Sequence, residues 1–425
     1  MHMADALLSP AVGGTMLAVA AGAIAYCSAK VSKELDDRKV PLMGVLGAFL
    51  FAAQMINFTI PATGSSGHLG GGLLLAILLG PYAAFLTISS VLVVQALFFA
   101  DGGLLALGCN IFNLGIFPAF IAYPFVYRPL AGRTPSTSSV SVGAMAAAIT
   151  GLQLGAFSVV LETTLSGISS LPFTAFVSMM QPIHLAIGIV EGIVTTIIIG
   201  FVHKARPDIF TEKDRRRTSI MKSIVPGFLA LALITGGFIS WFASEHPDGL
   251  EWSIKKITGK EELEGSKDFV HNTLSGIQEK LAFLPGYNFR KPEMTTDAQK
   301  AESAGKKTGR LGRSISGIVG ALVTLGLAVL AGCILRKRQK IAAKKPHAHE
   351  HAHPHAHEHE HPHKHGDVSH SHSHGHEHSH PHPHVHDHSQ PHKEDPNPRH
   401  THDTEVAMHT HEHDDHGHGS HDHKH

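Results

Sequence analysis

The chain has 425 residues, 43% of them hydrophobic and only 16% charged, and its formal net charge is zero. Zero net charge gives no basis for a nucleic-acid partner. The charged residues cluster between long apolar runs before about residue 340, and such runs mark an integral membrane protein. Of 37 histidines, six lie in that first part (His2, His68, His184, His203, His246 and His271) and 31 lie in the polar stretch that follows Pro346.

Met1 and His2 open the chain. A terminal amine followed by histidine is a ready chelate: the amine, the His2 backbone nitrogen and a His2 ring nitrogen can bind one ion. Deprotonated amide nitrogen and a planar arrangement suit Ni(II) or Cu(II). Three nitrogens leave one corner open, and the candidate to fill it is His68, in Thr63-Gly64-Ser65-Ser66-Gly67-His68-Leu69-Gly70. No basic segment precedes the first apolar run, so no cleavable signal peptide is expected. Asp5 is expected to hydrogen-bond within the amino-terminal segment rather than to ligate.

The first apolar run is Ser9 to about Ala29, with small residues at Gly14, Ala18 and Gly22 that would let helices approach closely. Lys30, Lys33, Arg38 and Lys39 follow it, and positive charge beside a span marks the cytoplasmic side. The amino terminus is then outside. Val40 to Ile60 returns outward and places His68 on the face that carries Met1. The stretch Gly71 to Ala100 breaks at Gly80-Pro81. Arg128 and Arg133 after the next run, Leu104 to Tyr127, require two crossings there, so two short spans are expected. Val140 to Leu165 is the sixth span and Ile183 to Phe201 the seventh.

Lys204, Arg206, Lys213, Arg215, Arg216 and Arg217 return the chain to the inside. An eighth span runs from Ile224 to Ala243, a polar loop from 244 to 313 lies outside, and a ninth span covers Ile315 to Leu335. Arg336, Lys337, Arg338 and Lys340 then place the tail in the cytoplasm. Cys27, Cys109 and Cys333 all fall in apolar runs and read as buried small hydrophobes with no disulfide framework.

Ionisable groups in membrane spans usually face the bundle interior. Asn57, Asp101, Glu162 and His184 lie towards the outer half and are expected to orient the metal ligands through hydrogen bonds. The tail is a run of His-x-His repeats, as in His347-Ala348-His349-Glu350-His351. Such a stretch reads as disordered and able to bind Zn, Ni, Co or Cu ions in interchangeable geometries. No G-x-x-x-x-G-K-[ST] occurs, so the chain has no P-loop of its own.

Several segments together resemble the CbiM/NikM family: Met1-His2-Met3-Ala4-Asp5, Ala53-Gln54-Met55-Ile56-Asn57-Phe58, Ser66-Gly67-His68-Leu69-Gly70-Gly71, Leu78-Leu79-Gly80-Pro81, Gln95 to Leu104, and His184 to Glu191. That family comprises substrate-binding components of energy-coupling-factor cobalt and nickel transporters. Residues 222 to 335 resemble the small NikN/CbiN component, with Pro247-Asp248-Gly249-Leu250-Glu251 as its signature. Ala6 departs from the glycine frequent there in the family.

The resemblance implies an all-α integral membrane protein: a seven-helix S-component bundle over 1–210, a two-helix module over 211–340, and a disordered His-rich tail over 341–425. It implies Ni2+ or Co2+ as transported substrate, held by the Met1 amine, the His2 amide and ring nitrogens and the His68 ring. It also implies separate ATPase subunits and a transmembrane coupling (T) subunit in the cell membrane. Two other classes stay open: a gradient-driven carrier with Glu162, His184 and Glu191 as a relay, and a membrane-anchored metal store or sensor in which the tail is the active part.

Overall fold

The structure, a computed structural model, describes residues 2–34, 39–132, 136–205, 221–261, 263, 265–266, 268–290, 301–343, 347–365 and 368–386. Residues up to Ala343 form one compact unit, and those from Lys344 onward form another.

The first unit is helical. A short 3-10 turn, Asp5–Leu7, leads into α1 (Pro10–Glu34). Next come α2 (Lys39–Gln54), a small hairpin of β1 (Phe58–Ile60) and β2 (Ser65–Gly67), and then α3 (Gly72–Leu79) and α4 (Pro81–Phe99). Gly80, at φ 81°, and Pro81 separate these last two helices, as the sequence predicts. The expectation of two spans needs correction. α3 has only eight residues, about 12 Å of helix, against about 30 Å of bilayer core. α4, by contrast, is long and apolar enough to cross, and Asp101 after its end lies beside His2 and so near His68.

α5 (Leu107–Ala131) contains Pro118 and Pro124, and Phe112–Tyr127 within it is wound as a π-helix. Proline removes a donor and crowds the carbonyl one turn back, so wider winding accommodates it. Ser136 caps α6 (Thr137–Ser166) in a reciprocal pair with Ser139. α7 spans Phe173–Ala205, ten residues more at its start than the apolar run suggests, with Pro182 inside it.

The remaining elements are α8 (Met221–Gly237), α9 (Gly249–Thr258), α10 (Phe269–Leu281) and α11 (Ala301–Ala343). The stretch read as a plain polar loop therefore holds two helices, and the last helix starts before Ile315. Six helices among the described residues are long and apolar enough to cross a membrane, and two shorter ones are also apolar. With the family relationships below, this is a multi-pass membrane protein.

Close approach at glycine joins α8 and α11 to each other and to the bundle. A Cβ on Gly236 would meet the Gly317 backbone at 2.9 Å, and one on Gly320 would meet the Phe51 ring at 2.0 Å. In lipid, such backbone proximity replaces the hydrophobic drive available in water. The ridge read on α1 is not such a contact here, because Gly14 and Gly22 face open space and only the neighbouring Gly13 packs, on Leu105. All three cysteines are free. Cys27 and Cys109 are buried, but Cys333 is exposed, contrary to the sequence reading.

In the second unit, β3 (His347–His365) pairs antiparallel with β4 (Val368–His386). The period-two His-x-His repeat places histidine opposite histidine along the ladder, from His347↔His386 to His363↔His370. Pro354, Pro362, Pro381 and Pro383 all fall in the pairs between the histidine pairs, and the register runs through them.

Candidate metal centre

The amino-terminal segment is drawn into one end of the bundle by its apolar residues. Met3, Leu7 and Leu8 are buried, and burial of such side chains is worth about 1.5–3 kcal/mol each. A buried backbone needs partners, and Asn110 supplies them. The Met3 N–H donates to Asn110 Oδ1 at 2.8 Å, and Asn110 Nδ2 donates to the Met3 carbonyl at 3.3 Å. The Gly103 N–H also donates to that carbonyl, at 2.9 Å. The Asp5 carboxylate accepts from the Ala106 N–H at 2.9 Å, a bond to the segment after α4 rather than one within the amino-terminal segment as expected. Gly103 is glycine of necessity, because a Cβ there would lie 1.8 Å from Asp5 Oδ1.

These contacts fix His2. Its Nδ1 lies 3.1 Å from Asp101 Oδ1. Its ring stacks on that of His68, with centroids 4.8 Å apart and planes 3° from parallel. His2 Nε2 is buried without a hydrogen-bond partner. Asp101 Oδ2 accepts from the Tyr287 hydroxyl. Burial opposes ionisation of Asp101, but the His2 ring and that hydroxyl outweigh it and hold the carboxyl below the usual range. The nitrogen that could chelate together with the His2 amide, Nδ1, is thus engaged by a carboxylate in the described geometry.

His68 follows the β1–β2 hairpin in a loop held from below by α7. Glu191 accepts the Gly70 N–H at 2.7 Å on one carboxylate oxygen and the Gly71 N–H at 3.0 Å on the other. Gln54 Nε2 donates to the Gly70 carbonyl at 2.9 Å. Gly71 has φ 72°, in the left-handed region glycine tolerates. His68 Nδ1 faces the Leu69 carbonyl at 3.1 Å. A carbonyl only accepts, so Nδ1 carries the proton and Nε2 the lone pair. Burial pushes the His68 imidazole down to about 3, which keeps it neutral and able to ligate.

The other residues expected to orient the ligands are placed differently. Asn57 uses its carbonyl to accept the Ser244 N–H at 2.7 Å, anchoring the segment before α9. Glu162 accepts from Asn113 Nδ2 at 2.8 Å and Ser158 Oγ at 3.3 Å. It reaches the amino-terminal segment only through Asn113, whose Nδ2 is 3.9 Å from Met3 Sδ. His184 turns Nδ1 to the Met180 carbonyl at 2.8 Å, and its buried Nε2 has no hydrogen-bond partner. Among the described residues it bonds to neither His2 nor His68. Instead it lines a small cavity of about 10 Å³ with His68 and Asp248. Asp101 alone of the four touches His2. Met1 lies outside the described residues.

Sequence reasoning missed the residues of the later module that cover this end. Pro247, in the Pro247–Glu251 signature, accepts the Ser66 N–H at 2.8 Å. Asp248 caps α9 through the N–H groups of Leu250 and Glu251, and Glu251 reciprocates. Gly249 rests on α7, where a Cβ would sit 3.2 Å from His184 Cε1. Trp252 Nε1 donates to the Thr63 carbonyl at 2.9 Å. The only signal in the sequence was the signature itself.

Above His2 opens a cleft of about 310 Å³ whose lining includes His2, Asp5, Asp101, Asp248, Glu251 and Glu261. Carboxylates in such a recess raise the local concentration of cations. Among the described residues, no group of three His, Cys, Asp or Glu side chains is close enough to hold a metal ion. A metal at the His2–His68 pair would therefore need backbone or terminal nitrogen.

Residues 2–209 match the model of the cobalt uptake substrate-specific transmembrane region, CbiM, and residues 222–337 match the PDGLE domain. A Methanocaldococcus jannaschii protein named as a metal transport protein is 36% identical over 223 residues, covering 52% of this chain and 99% of that one. An Archaeoglobus fulgidus protein named as a fused nickel transport protein, NikMN, is 33% identical over 241 residues, covering 55% of this chain and 72% of that one. The cobalt transport protein CbiM of Sorangium cellulosum is 32% identical over 215 residues, covering 49% of this chain and 94% of that one.

Proposed function

Because the chain belongs to the CbiM family of cobalt and nickel transport proteins, with a PDGLE domain fused behind, we propose that it is the substrate-binding and translocation subunit of an ATP-driven, energy-coupling-factor uptake system for Ni(II) or Co(II). The substrate ion is held by the Met1 amine, the His2 amide and Nδ1, and His68 Nε2. Residues 1–210 form the metal-binding membrane domain, 211–340 the fused module, and 341–425 the accessory tail. The amino terminus is outside and the tail cytoplasmic. Separate ATPase subunits and a transmembrane coupling subunit supply the energy.

The observation that carries this reading is the stacked pair of His2 and His68, 4.8 Å apart, brought together by a buried amino-terminal backbone. Four nitrogens of this kind favour a planar field, which Ni(II) accepts readily. Loading exchanges the His2 Nδ1–Asp101 contact for the metal and releases the amide proton. The acidic cleft gathers the cation at the outer face before it reaches His2. The fourfold nitrogen set discriminates against Mg(II) and Ca(II), which prefer oxygen.

The deciding experiment is nickel and cobalt uptake into cells that carry this chain with its native terminus, with and without the partner ATPase genes. Uptake should need the ATPases and survive collapse of the proton gradient at constant ATP. Uptake that persists without ATPases and stops with the gradient would replace this reading by a gradient-driven carrier.

A further inference from the structure

His271 is a buried histidine in the fused module, on the first turn of α10. Its surroundings decide its protonation. Nδ1 lies 2.8 Å from Asp268 Oδ2. Nε2 lies 3.1 Å from the Asp5 carbonyl and 3.0 Å from the Leu8 carbonyl. All three partners only accept. A neutral imidazole has one N–H and would leave a lone pair facing an acceptor on one side or the other. Only the imidazolium, with an N–H on each nitrogen, satisfies the geometry.

The segment so gripped is the 3-10 turn that carries His2 and Met3 into the bundle. Seven residues further along the same helix, on the same face, Gln278 Nε2 donates to the Ala96 carbonyl at 2.9 Å and to the Gly102 carbonyl at 2.7 Å. One helix of the later module therefore clasps both walls of the His2 site, the amino-terminal segment and the loop bearing Asp101.

We propose that His271, doubly protonated, is a positioning residue that latches the amino-terminal segment into its seat, and that losing one of its protons frees that segment. This rests on the reading of Met1 and His2 as metal ligands for its consequence, but not for the latch itself. Among the described residues, the titratable groups that face His271 are Asp268 on its own helix and Asp5 across from it. Burial would lower the His271 imidazole, but its hydrogen bonds to Asp268 and to the Asp5 and Leu8 carbonyls outweigh that and raise it. Asp268, exposed, is held down to about 2 by the His271 backbone and ring, so it stays a carboxylate.

The sign of the effect follows. A histidine raised in the folded state contributes fully below its unfolded value of about 6.5 and less as pH climbs through the folded value. The latch is closed in mildly acidic medium and opens as the outer medium turns alkaline. Metal chelation alone has the opposite trend, since it strengthens as ligands lose protons, so the two are separable.

Hydrogen exchange of the Met3–Leu8 amides tests this, measured on the full-length metal-free protein from about pH 5.5 to about pH 8.5, a range that brackets the ordinary imidazole value. After correction for intrinsic chemistry, protection should fall with rising pH, about tenfold for each unit by which the folded state raises His271. His271→Gln should show low protection without the pH step. Asp268→Asn keeps a competent helix cap but removes the anion, so its step should move to lower pH. A wild type without a step, a step that persists in His271→Gln, or a step unmoved in Asp268→Asn would overturn the latch.

A parallel measurement of nickel release from loaded protein separates the two readings. If the step is present but nickel is held no better than by a Met1-blocked chain, the metal reading fails and the latch stands. Nickel held tightly with no step sinks the latch and leaves the metal reading intact.

Discussion

The bundle and the tail use histidine in opposite ways. In the bundle, His2 and His68 are two rings, buried and stacked, each fixed by a chain of contacts: Asn110 and Gly103 on Met3, Asp101 on His2, Glu191 on the loop of His68. The tail carries 31 histidines, and its described part offers the two-residue repeat of a hairpin in place of a packed core. The difference teaches that number of donors sets capacity, whereas selectivity needs donors held in one geometry before the ion arrives. A repeat can exchange one imidazole for another with little loss. The proposed site, built on a single amine, a single amide and two rings, cannot.

The largest test of that contrast is at the amino terminus. One residue added before Met1, or alanine inserted between Met1 and His2, should lower nickel affinity of the bundle by about 100-fold or more, since loss of a ligand costs at least as much as loss of its outer-shell support. Calorimetry on protein truncated after Lys345 reads this without interference from the tail. Unchanged affinity in the extended chain would remove the distinction between the two regions altogether.

Next in size is His68→Ala, which should abolish most uptake, while His203→Ala, at the far end of α7, should leave it near wild type. Radiolabelled nickel uptake in cells lacking other nickel importers compares them directly. Equal uptake would mean that the ring stacked on His2 is not a ligand.

A smaller effect sharpens the role of preorganisation. Glu191 accepts two backbone N–H groups, one on each oxygen, and glutamine offers only one acceptor oxygen. Glu191→Gln should leave one buried donor unpaired, loosen the His68 loop and weaken nickel binding by about tenfold, with His68 still present. Affinity equal to wild type would mean that the loop needs no such bracing.

The smallest effect is at the other region. Truncation after Lys345 should leave affinity and metal preference at the bundle unchanged and reduce the number of ions bound per chain. The difference between full and truncated chains should vanish below about pH 6, where the tail imidazoles are protonated. Equilibrium dialysis at two pH values measures it. A change of metal preference on truncation would mean that the tail, not the bundle, selects.

Much of this was legible in the sequence. Apolar runs located α1, α2, α4, α5, α6, α8 and α11, because membrane spans write their length directly in composition. Gly80-Pro81 marked its own break. The Met1-His2 start and His68 stood out because the chelating groups are adjacent or lie in a glycine-rich loop.

Other features were beyond reach. The start of α7 at Phe173 was hidden because Pro182 reads as a stop unless neighbouring helices support the turn. The partial depth of α3 was hidden because eight apolar residues do not reveal whether they cross or only enter. Asn57, Glu162 and His184 share an outer-half position in sequence, yet only Asp101 reaches His2, because a helix presents each side chain at a fixed angle that span counting cannot supply.

What the sequence by itself determined, then, is which segments are apolar enough to enter a membrane and where candidate nitrogen donors sit, since both are properties of local composition. What only the tertiary structure decided is how those atoms are held. Pro247, His271, Gln278 and Tyr287 come from a module more than 140 residues beyond Asp101 and grip the His2 site through contacts to Ser66, Asp5, Leu8, Gly102 and Asp101 and their neighbours. A hydrogen bond acts over about 3 Å and is indifferent to sequence separation. Only the packed chain brings such partners within that reach.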